Sequence, residues 1–319
     1  VIMLPYPDED RTPQPPSLSP VQLSAAQIAS VRELVQPAWR ANVSEDTIRR
    51  FLTAVGGRDV AAAAKRLNTT LLWRDSVQPE KIVCTACAKN PKSHYMHVIG
   101  YDKLNRPIIY SCLGLAANRN VADSQAHMIQ TFEMAIKCMQ EGQEQWIWAC
   151  DFHGFGLRDV DPRLAKLFLD LSAAHYPERL GQFLIMGAPT LFGALWKAVS
   201  PFVDRKTYGK IRFLPYDLDS PKSVMREQLE ELCDPTTAQW MLTEMQENRD
   251  EKKVASKLGK YNMAHIHRAA SEGVLLSGAS DASIHDFRGH LQLLKAFASS
   301  PQLMEPQALH VVLEEVAAK

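Results

Sequence analysis

The pattern C-x2-C-x6-H-x2-H, formed by Cys84, Cys87, His94 and His97, is the first group of residues whose types could support chemistry. It is only loosely that of a zinc site. The interval between the cysteines and the histidines is about half that of a zinc finger, and the histidine pair is one residue too close. We therefore interpret this stretch as a loop that contains Cys and His, and expect no metal site.

Asp151 and His153 form a second group, an acid beside a histidine after a short apolar run. Active sites commonly lie at the carboxyl edge of a parallel sheet, where such a pair would stand. No nucleophile or Gly-rich phosphate loop accompanies the pair, and the sequence has no G-x-S-x-G, Walker or H-E-x-x-H motif. We expect a strand-end turn that Asp151 hydrogen-bonds and that Gly154 and Gly156 permit, with no catalytic residue.

Two short pairs could hold an anion. Thr207 and Lys210 are three residues apart, which would place a hydroxyl and an ammonium on one helical face. Glu178 and Arg179 come directly after Pro177, where the preceding helix must end. Taken alone, each pair is typical of a solvated surface pair that contributes less than about 1 kcal/mol.

Residues 190–202 are apolar on almost every helical face, with Lys197 as the sole charge. The apolar positions of this segment are Leu191, Phe192, Leu195, Trp196, Val199 and Phe202. Two placements of a helix are compatible with this apolar pattern. One is a helix buried inside the fold, and the other is a helix that covers an apolar cavity on one side and meets a bilayer on the other.

The elements that must position these groups alternate along the middle of the chain. Apolar runs at 107–113, 146–150, 183–186 and 211–214 are separated by segments long enough for helices, which predicts an α/β fold with a mostly parallel sheet. We divide the chain into a Pro-rich tail (1–23), a small helical domain (24–78), the α/β domain (79–220) and a helical extension (221–319). Ser44 and Asp59 are expected to cap helices in the second part.

Composition narrows the classes of function. The chain has 319 residues, 46% hydrophobic and 23% charged, and its 36 basic and 36 acidic side chains cancel. A neutral chain has no global field that would draw it to nucleic acid. Six cysteines without a secretory leader favour reduced thiols in the cytosol.

Several motifs together closely resemble the CRAL-TRIO lipid-binding domain. They are H-Y-P-E-R-L-G at 175–181, G-A-P-T-L-F at 187–192, L-W-K-A-V-S-P-F at 195–202 and K-T-Y-G-K-I at 206–211, with further similarity at 100–107 and 151–154. The helical segment that starts near residue 44 looks like the one that precedes this domain in the family. The resemblance runs from about 44 to 216.

The resemblance implies a CRAL-TRIO fold, in which a mostly parallel β-sheet floor and flanking helices enclose an apolar lipid pocket. It implies a non-enzymatic protein that binds a single phospholipid, most simply phosphatidylinositol, and exchanges or presents it at cytosolic membrane surfaces through a mobile gate helix. The expected headgroup residues are Glu178, Arg179, Thr207, Lys210 and Arg58. The expected gate is Leu191, Phe192, Leu195, Trp196, Val199 and Phe202, and the expected pocket lining is Tyr110, Trp146 and Trp148.

The resemblance also implies no cofactor beyond the bound lipid, no nucleic-acid partner, and a cytoplasmic protein that is peripheral at membranes. Two alternatives stay open. One keeps the fold and changes the cargo to a retinoid, a tocopherol or a sterol. The other is a lipid-regulated scaffold that presents cargo to a lipid kinase or recruits another protein through the C-terminal helices.

Overall fold

The computed structural model describes residues 21–156, 159, 161–189, 192, 193, 196, 200, 203 and 205–257. Within this part of the chain a five-stranded sheet carries helices on both faces, which confirms the α/β fold expected from the sequence. Most of the predicted Pro-rich tail and the extension beyond residue 257 lie outside the described residues.

The chain alternates strands with helices after an all-helical start. The strands are β1 (Met96–Tyr101), β2 (Pro107–Cys112), β3 (Trp146–Asp151), β4 (Leu180–Met186) and β5 (Ile211–Leu214). The described helices are α1 (Ala25–Leu34), α2 (Pro37–Arg40), α3 (Glu45–Ala54), α4 (Val60–Val77), α5 (Thr85–Lys89), α6 (Val121–Lys137), α7 (Pro162–His175), α8 (Arg205–Tyr208), α9 (Val224–Leu232), α10 (Pro235–Glu247) and α11 (Glu251–Lys257). None of them is long and apolar enough to cross a membrane.

The sheet has the order β1-β2-β3-β4-β5. β1 runs antiparallel to β2, and β2 to β5 run parallel to one another. The four apolar runs in the sequence are therefore β2 to β5, and the mostly parallel sheet is confirmed. β1 was not anticipated, because Met96–Tyr101 follows a stretch rich in Cys, Lys and Pro and is buried on both faces, so it shows no period of two.

The two faces of the sheet have separate cores. On the first face Trp148 of β3 and Ile185 of β4 pack with α6 and α7. On the second face Ile147 packs with Leu229 of α9 and Met241 of α10. α9 and α10 therefore complete the core on the second face of the sheet.

The helices before the sheet have a core of their own, in which Val31, Ile48 and Leu67 are fully buried. Both expected helix caps are confirmed. The Ser44 hydroxyl accepts a hydrogen bond from the Thr47 amide at 3.2 Å, and an Asp59 carboxylate oxygen accepts one from the Ala62 amide at 2.8 Å. Each satisfies an amide that the first turn of a helix leaves unpaired.

A carboxylate in the segment after β5 fixes the start of the next helix. α9 begins at Val224, three residues after Pro221, with Ser223 as its cap. Asp217 accepts hydrogen bonds from the Ser223 hydroxyl at 2.6 Å and the Val224 amide at 2.7 Å. This carboxylate and the Ser223 hydroxyl satisfy the first amides of the helix, which fixes its start downstream of the proline.

Side chains of α4 attach the N-terminal helices to α7. The Arg66 guanidinium donates to the Ala173 carbonyl at 2.7 Å, and the Thr70 hydroxyl donates to the Ala174 carbonyl at 2.9 Å. The Trp73 and His175 rings stack with centroids 4.0 Å apart. These contacts satisfy carbonyls of the last turn of α7 and set the position of α4 against the α/β part.

Candidate functional site

An apolar cavity of about 220 Å³ lies between the first face of the sheet and α7. Trp148 and Phe183 line it from the sheet, and Leu164, Ala165 and Phe168 line it from α7. A cavity with a predominantly apolar lining offers water few hydrogen-bonding partners. It can accept an apolar molecule.

Two residues of the expected gate stand on the cavity wall, and both are helical. The Phe192 ring contacts Phe152 at 4.5 Å between centroids, and the Trp196 ring contacts Phe213 at 5.6 Å. The other expected gate residues, Leu191, Leu195, Val199 and Phe202, lie outside the described residues.

Of the three residues expected to line the pocket, the cavity wall includes Trp148 but not Tyr110 or Trp146. Tyr110 belongs to the second face of the sheet, because neighbouring residues of a strand point to opposite faces. Trp146 shares the face of Trp148 but stacks on Phe132 at 4.8 Å, inside the packed part of the core.

Three of the expected headgroup residues lie in or next to the segments that line the cavity. Thr207 of α8 is part of the lining, Lys210 stands in the turn between α8 and the lining residue Ile211, and Glu178 stands two residues before the lining residue Leu180. The Glu178 carboxylate lies 3.7 Å from the Lys210 ammonium and 3.5 Å from the Lys206 ammonium. Lys206 was not among the expected site residues, although it stands in the same motif. Two ammonium groups and one carboxylate give this group a net positive charge.

Backbone geometry holds this group in place. The Lys210 carbonyl accepts a hydrogen bond from the Phe183 amide at 2.9 Å, which ties the start of β5 to β4. The Lys206 ammonium donates to the Thr53 carbonyl at 3.0 Å, so α8 is also tied to the end of α3. Glu178 has a left-handed backbone with φ 60°. This conformation costs a non-glycine residue about 1–2 kcal/mol, and such residues are concentrated at functional sites.

The other two expected headgroup residues stand apart from Lys210. Arg179 is buried, and its guanidinium donates to the Glu144 carbonyl at 2.9 Å and to the Glu144 carboxylate at 3.2 Å. Arg50 pairs with the same carboxylate. Burial lowers the pKa of the Arg179 guanidinium to about 10. Arg58 is exposed in the turn before α4, and no ion pair in the described structure joins it to Glu178.

Asp151, the acid considered for catalysis, is held in a network of structural hydrogen bonds. Its carboxylate accepts the Arg249 guanidinium at 2.9 and 3.0 Å, the Tyr110 hydroxyl at 3.2 Å and the His153 amide at 3.0 Å. The expected turn is confirmed for Asp151 and for Gly154, which is left-handed at φ 71°, whereas Gly156 does not have a positive φ. Both oxygens of the Asp151 carboxylate are therefore occupied by structural partners.

A cluster of Cys and His lies beside the cavity, with different members from those in the sequence pattern. Cys84, Cys87, His94 and His127 have ligand atoms within 4.8 Å of one another. Hydrogen bonds with Cys87, His127 and His94 lower the pKa of the Cys84 thiol. His97 is outside the group, although its ring meets that of His127 edge-on at 6.2 Å.

A mostly parallel sheet with an apolar cavity on one face, lined in part by Phe192 and Trp196, defines an α/β class of domain whose cavity can accept an apolar ligand. The family model for the CRAL/TRIO domain matches residues 92–235. Residues 92–235 therefore carry the CRAL/TRIO domain that the motifs indicated.

Known proteins with similar sequences bear related names. A CRAL-TRIO domain-containing protein of Schizosaccharomyces pombe, C23B6.04c, is 29% identical over 191 residues, which cover 56% of this chain and 18% of that protein. The phosphatidylinositol transfer protein CSR1 of Eremothecium gossypii is 28% identical over 204 residues, 60% of this chain and 47% of that protein. This chain thus spans less than half the length of either relative. The crystal structure of Sfh5 superposes with a TM-score of 0.49 at 15% identity, over 60% of this chain and 82% of that one.

Proposed function

We propose that this protein binds a single phospholipid, phosphatidylinositol, in the cavity and exchanges or presents it at membrane surfaces. The observation that carries the proposal is an apolar cavity that Thr207 lines, with the Glu178–Lys210 ion pair next in the chain to the lining residues Leu180 and Ile211. An apolar space beside a net positive group matches a molecule with acyl chains and a phosphate.

The energetics of lipid transfer explain why a carrier needs such a cavity. Moving a lipid with about 30 methylenes from a bilayer into water costs on the order of 25 kcal/mol, at about 0.8 kcal/mol each. A cavity lined by Trp148, Phe168 and Phe183 gives the chains an apolar solvent instead. The cavity must open while it touches the membrane, so that the chains do not meet water.

Phe192 and Trp196 are the residues that we propose move for the lipid to enter. The open volume of about 220 Å³ is below the roughly 300–1,000 Å³ of ordinary ligand pockets, and a diacyl lipid needs more space. Both rings occupy the cavity wall, so their displacement enlarges the cavity and exposes aromatic surface to the bilayer. Aromatic side chains are well suited to the membrane interface.

The charged and polar side chains of this group explain how the phosphatidylinositol headgroup would be recognised. The Lys210 ammonium would donate to the phosphate in a charge-assisted hydrogen bond, and Thr207 would donate a neutral one. The Glu178 carboxylate would accept hydrogen bonds from inositol hydroxyls. One of the relatives, CSR1, is named a phosphatidylinositol transfer protein, which supports the same ligand.

We propose that this activity is non-enzymatic. Asp151 and His153 are the acid and histidine that sequence alone placed at a strand end, and Arg249 holds the acid in a bidentate pair. The protein would move a lipid without changing its covalent bonds.

Transfer of labelled phosphatidylinositol between vesicles tests the proposal. The wild type should transfer the lipid, and Lys210→Ala should be slower by about 10- to 100-fold, because a hydrogen bond to a charged group contributes about 1.5–3 kcal/mol. Lys222→Ala, which removes an exposed lysine elsewhere, should leave the rate unchanged. Absence of transfer by the wild type would refute the proposal, and equal rates for both variants would remove Lys210 from it.

The small volume of the cavity favours a second candidate, a phosphorus-free hydrophobic molecule such as a retinoid, a tocopherol or a sterol. Such a ligand would fit with less displacement of Phe192 and Trp196. It would make no use of Lys210. Mass spectrometry of the extracted ligand separates the two candidates by phosphorus content.

A further inference from the structure

Four sulfur and nitrogen donors from three segments of the chain converge beside the cavity. Cys84 caps α5, Cys87 lies within it, His94 stands just before β1, and His127 stands on α6. The Cys84 sulfur lies 3.5 Å from His94 Nδ1. The Cys87 sulfur lies 3.4 Å from His94 Nδ1 and 3.5 Å from His127 Nδ1.

These separations match the edges of a tetrahedral metal site. Metal–sulfur bonds of about 2.3 Å and metal–nitrogen bonds of about 2.0–2.1 Å place sulfur and nitrogen about 3.6 Å apart around a tetrahedral ion. The three sulfur–nitrogen distances of 3.4–3.5 Å are within about 0.2 Å of that value. A single ion at the centre would reach all four donors with little movement.

Surrounding hydrogen bonds orient two of the donors. His127 Nε2 donates to the Met96 carbonyl at 2.9 Å, which leaves the Nδ1 lone pair directed at the cluster. A histidine ligand commonly donates its other ring nitrogen in this way. The Cys84 amide donates to the Gln130 side-chain oxygen at 2.8 Å, so the cysteine segment is anchored to the same helix as His127.

We propose that Cys84, Cys87, His94 and His127 bind one Zn²⁺ ion in a structural site. Two thiolates and two imidazoles are the donor set of structural zinc, and they disfavour Mg²⁺ and Ca²⁺, which prefer oxygen. Four protein donors fill a tetrahedral ion and leave no open position for a substrate, so the ion would serve stability and not catalysis.

The position of the site gives it a consequence for the cavity. Two of the four donors also line the cavity. His94 stands just before β1, and His127 stands on α6. An ion that joins them to Cys84 and Cys87 would fix this wall, while Phe192 and Trp196 are on the wall that we propose moves. The inference does not depend on which ligand the cavity holds.

Metal analysis of the full chain, purified under reducing conditions with zinc in the medium, tests the site. The wild type should contain one Zn²⁺ per chain. Cys87→Ala and His127→Ala should bind Zn²⁺ at least about 100-fold more weakly, since loss of even an outer partner of a metal ligand costs 10–100-fold. Cys233→Ala and His153→Ala, which change a cysteine and a histidine outside the cluster, should keep one ion.

A second measurement needs no substitution. Co²⁺ added to the metal-depleted wild type should give the intense visible bands of a tetrahedral ion with thiolate charge transfer, and Zn²⁺ should abolish them. The proposal would be overturned by a wild type that binds neither ion, by octahedral Co²⁺ bands, or by a Cys84–Cys87 disulfide with no metal. Zinc binding is measured without lipid, so its failure is distinct from failure of lipid transfer.

Discussion

The Glu178 carboxylate lies 3.7 Å from the Lys210 ammonium, and Lys210 follows the cavity-lining residue Thr207 by three positions. Its other oxygen lies 3.5 Å from the Lys206 ammonium, and Lys206 is bound in turn to the Thr53 carbonyl. The carboxylate thus orients two ammonium groups. Its single negative charge balances one of them, so the three groups together carry one net positive charge. That surplus charge is what the proposed phosphate would neutralise.

Thr207→Val should slow transfer of phosphatidylinositol by about 2- to 10-fold, because it removes one neutral hydrogen bond worth about 0.5–1.5 kcal/mol and keeps the side-chain shape. The measurement is the same vesicle assay. A rate equal to wild type would exclude the Thr207 hydroxyl from recognition.

Ala165→Trp should abolish lipid binding and leave the protein folded. Ala165 lines the cavity from α7, so an indole at this position occupies space that the acyl chains need. The measurement is the amount of lipid that co-purifies with each variant.

Ala174→Trp is the matched control, because Ala174 is an exposed residue of the same helix. This variant should retain its lipid. If Ala165→Trp bound as much lipid as Ala174→Trp, the cavity next to α7 would not be the binding site.

Arg249→Ala should lower the free energy of unfolding by about 3–5 kcal/mol, because it leaves the buried Asp151 carboxylate without its counter-charge. Urea unfolding measures the change. Arg163→Ala breaks the pair with Asp161 at the exposed start of α7 and should leave stability unaltered. Equal effects of the two substitutions would contradict the role given to Asp151.

Stability should decrease between about pH 7 and about pH 5 through His175. Burial, followed by the charge of Arg74, lowers the pKa of His175 to about 4, against about 6.5 in the unfolded chain. The unfolded state therefore binds more protons in this range, and stability that is present above pH 6.5 is lost as the pH falls. With allowance for solvent screening, the loss by pH 5 is about 1 kcal/mol.

Urea unfolding of the wild type and of His175→Gln at the two pH values checks this. Glutamine does not titrate, so the variant should lose about that much of the pH dependence. The contribution of His153, whose pKa is also lowered by burial, is common to both proteins. An identical pH dependence in the two proteins would show that His175 does not titrate as described.

Short-range sequence patterns were sufficient to predict much of the fold. The strands β2 to β5 were predicted because each is an apolar run bounded by polar segments, and Ser44 and Asp59 were predicted as caps because their short side chains satisfy free amides. The family resemblance of the motifs at 206–211 and 175–181 suggested Thr207, Lys210 and Glu178 as a group, and the structure places Glu178 beside Lys210 and Thr207 in the cavity lining.

The sequence did not show which face of the sheet a buried side chain points to, or which residues far apart in the chain come into contact. β2 is buried on both faces, so nothing in its sequence shows that Tyr110 points away from the cavity. His127 stands on a helix far along the chain from Cys84 and Cys87, and only the packing of α6 against β1 brings it to them. The sequence pattern contained His97 instead, because His97 stands close to the two cysteines in the chain, and the structure leaves it outside the cluster.

The ligand that the wild-type protein carries when it is purified tests the central claim most directly. Native mass spectrometry, followed by extraction and lipid analysis, should find one phosphatidylinositol molecule per chain, and Ala165→Trp should carry none. A wild type that carries no lipid and takes up none from vesicles, or that carries only a phosphorus-free molecule, would contradict the account.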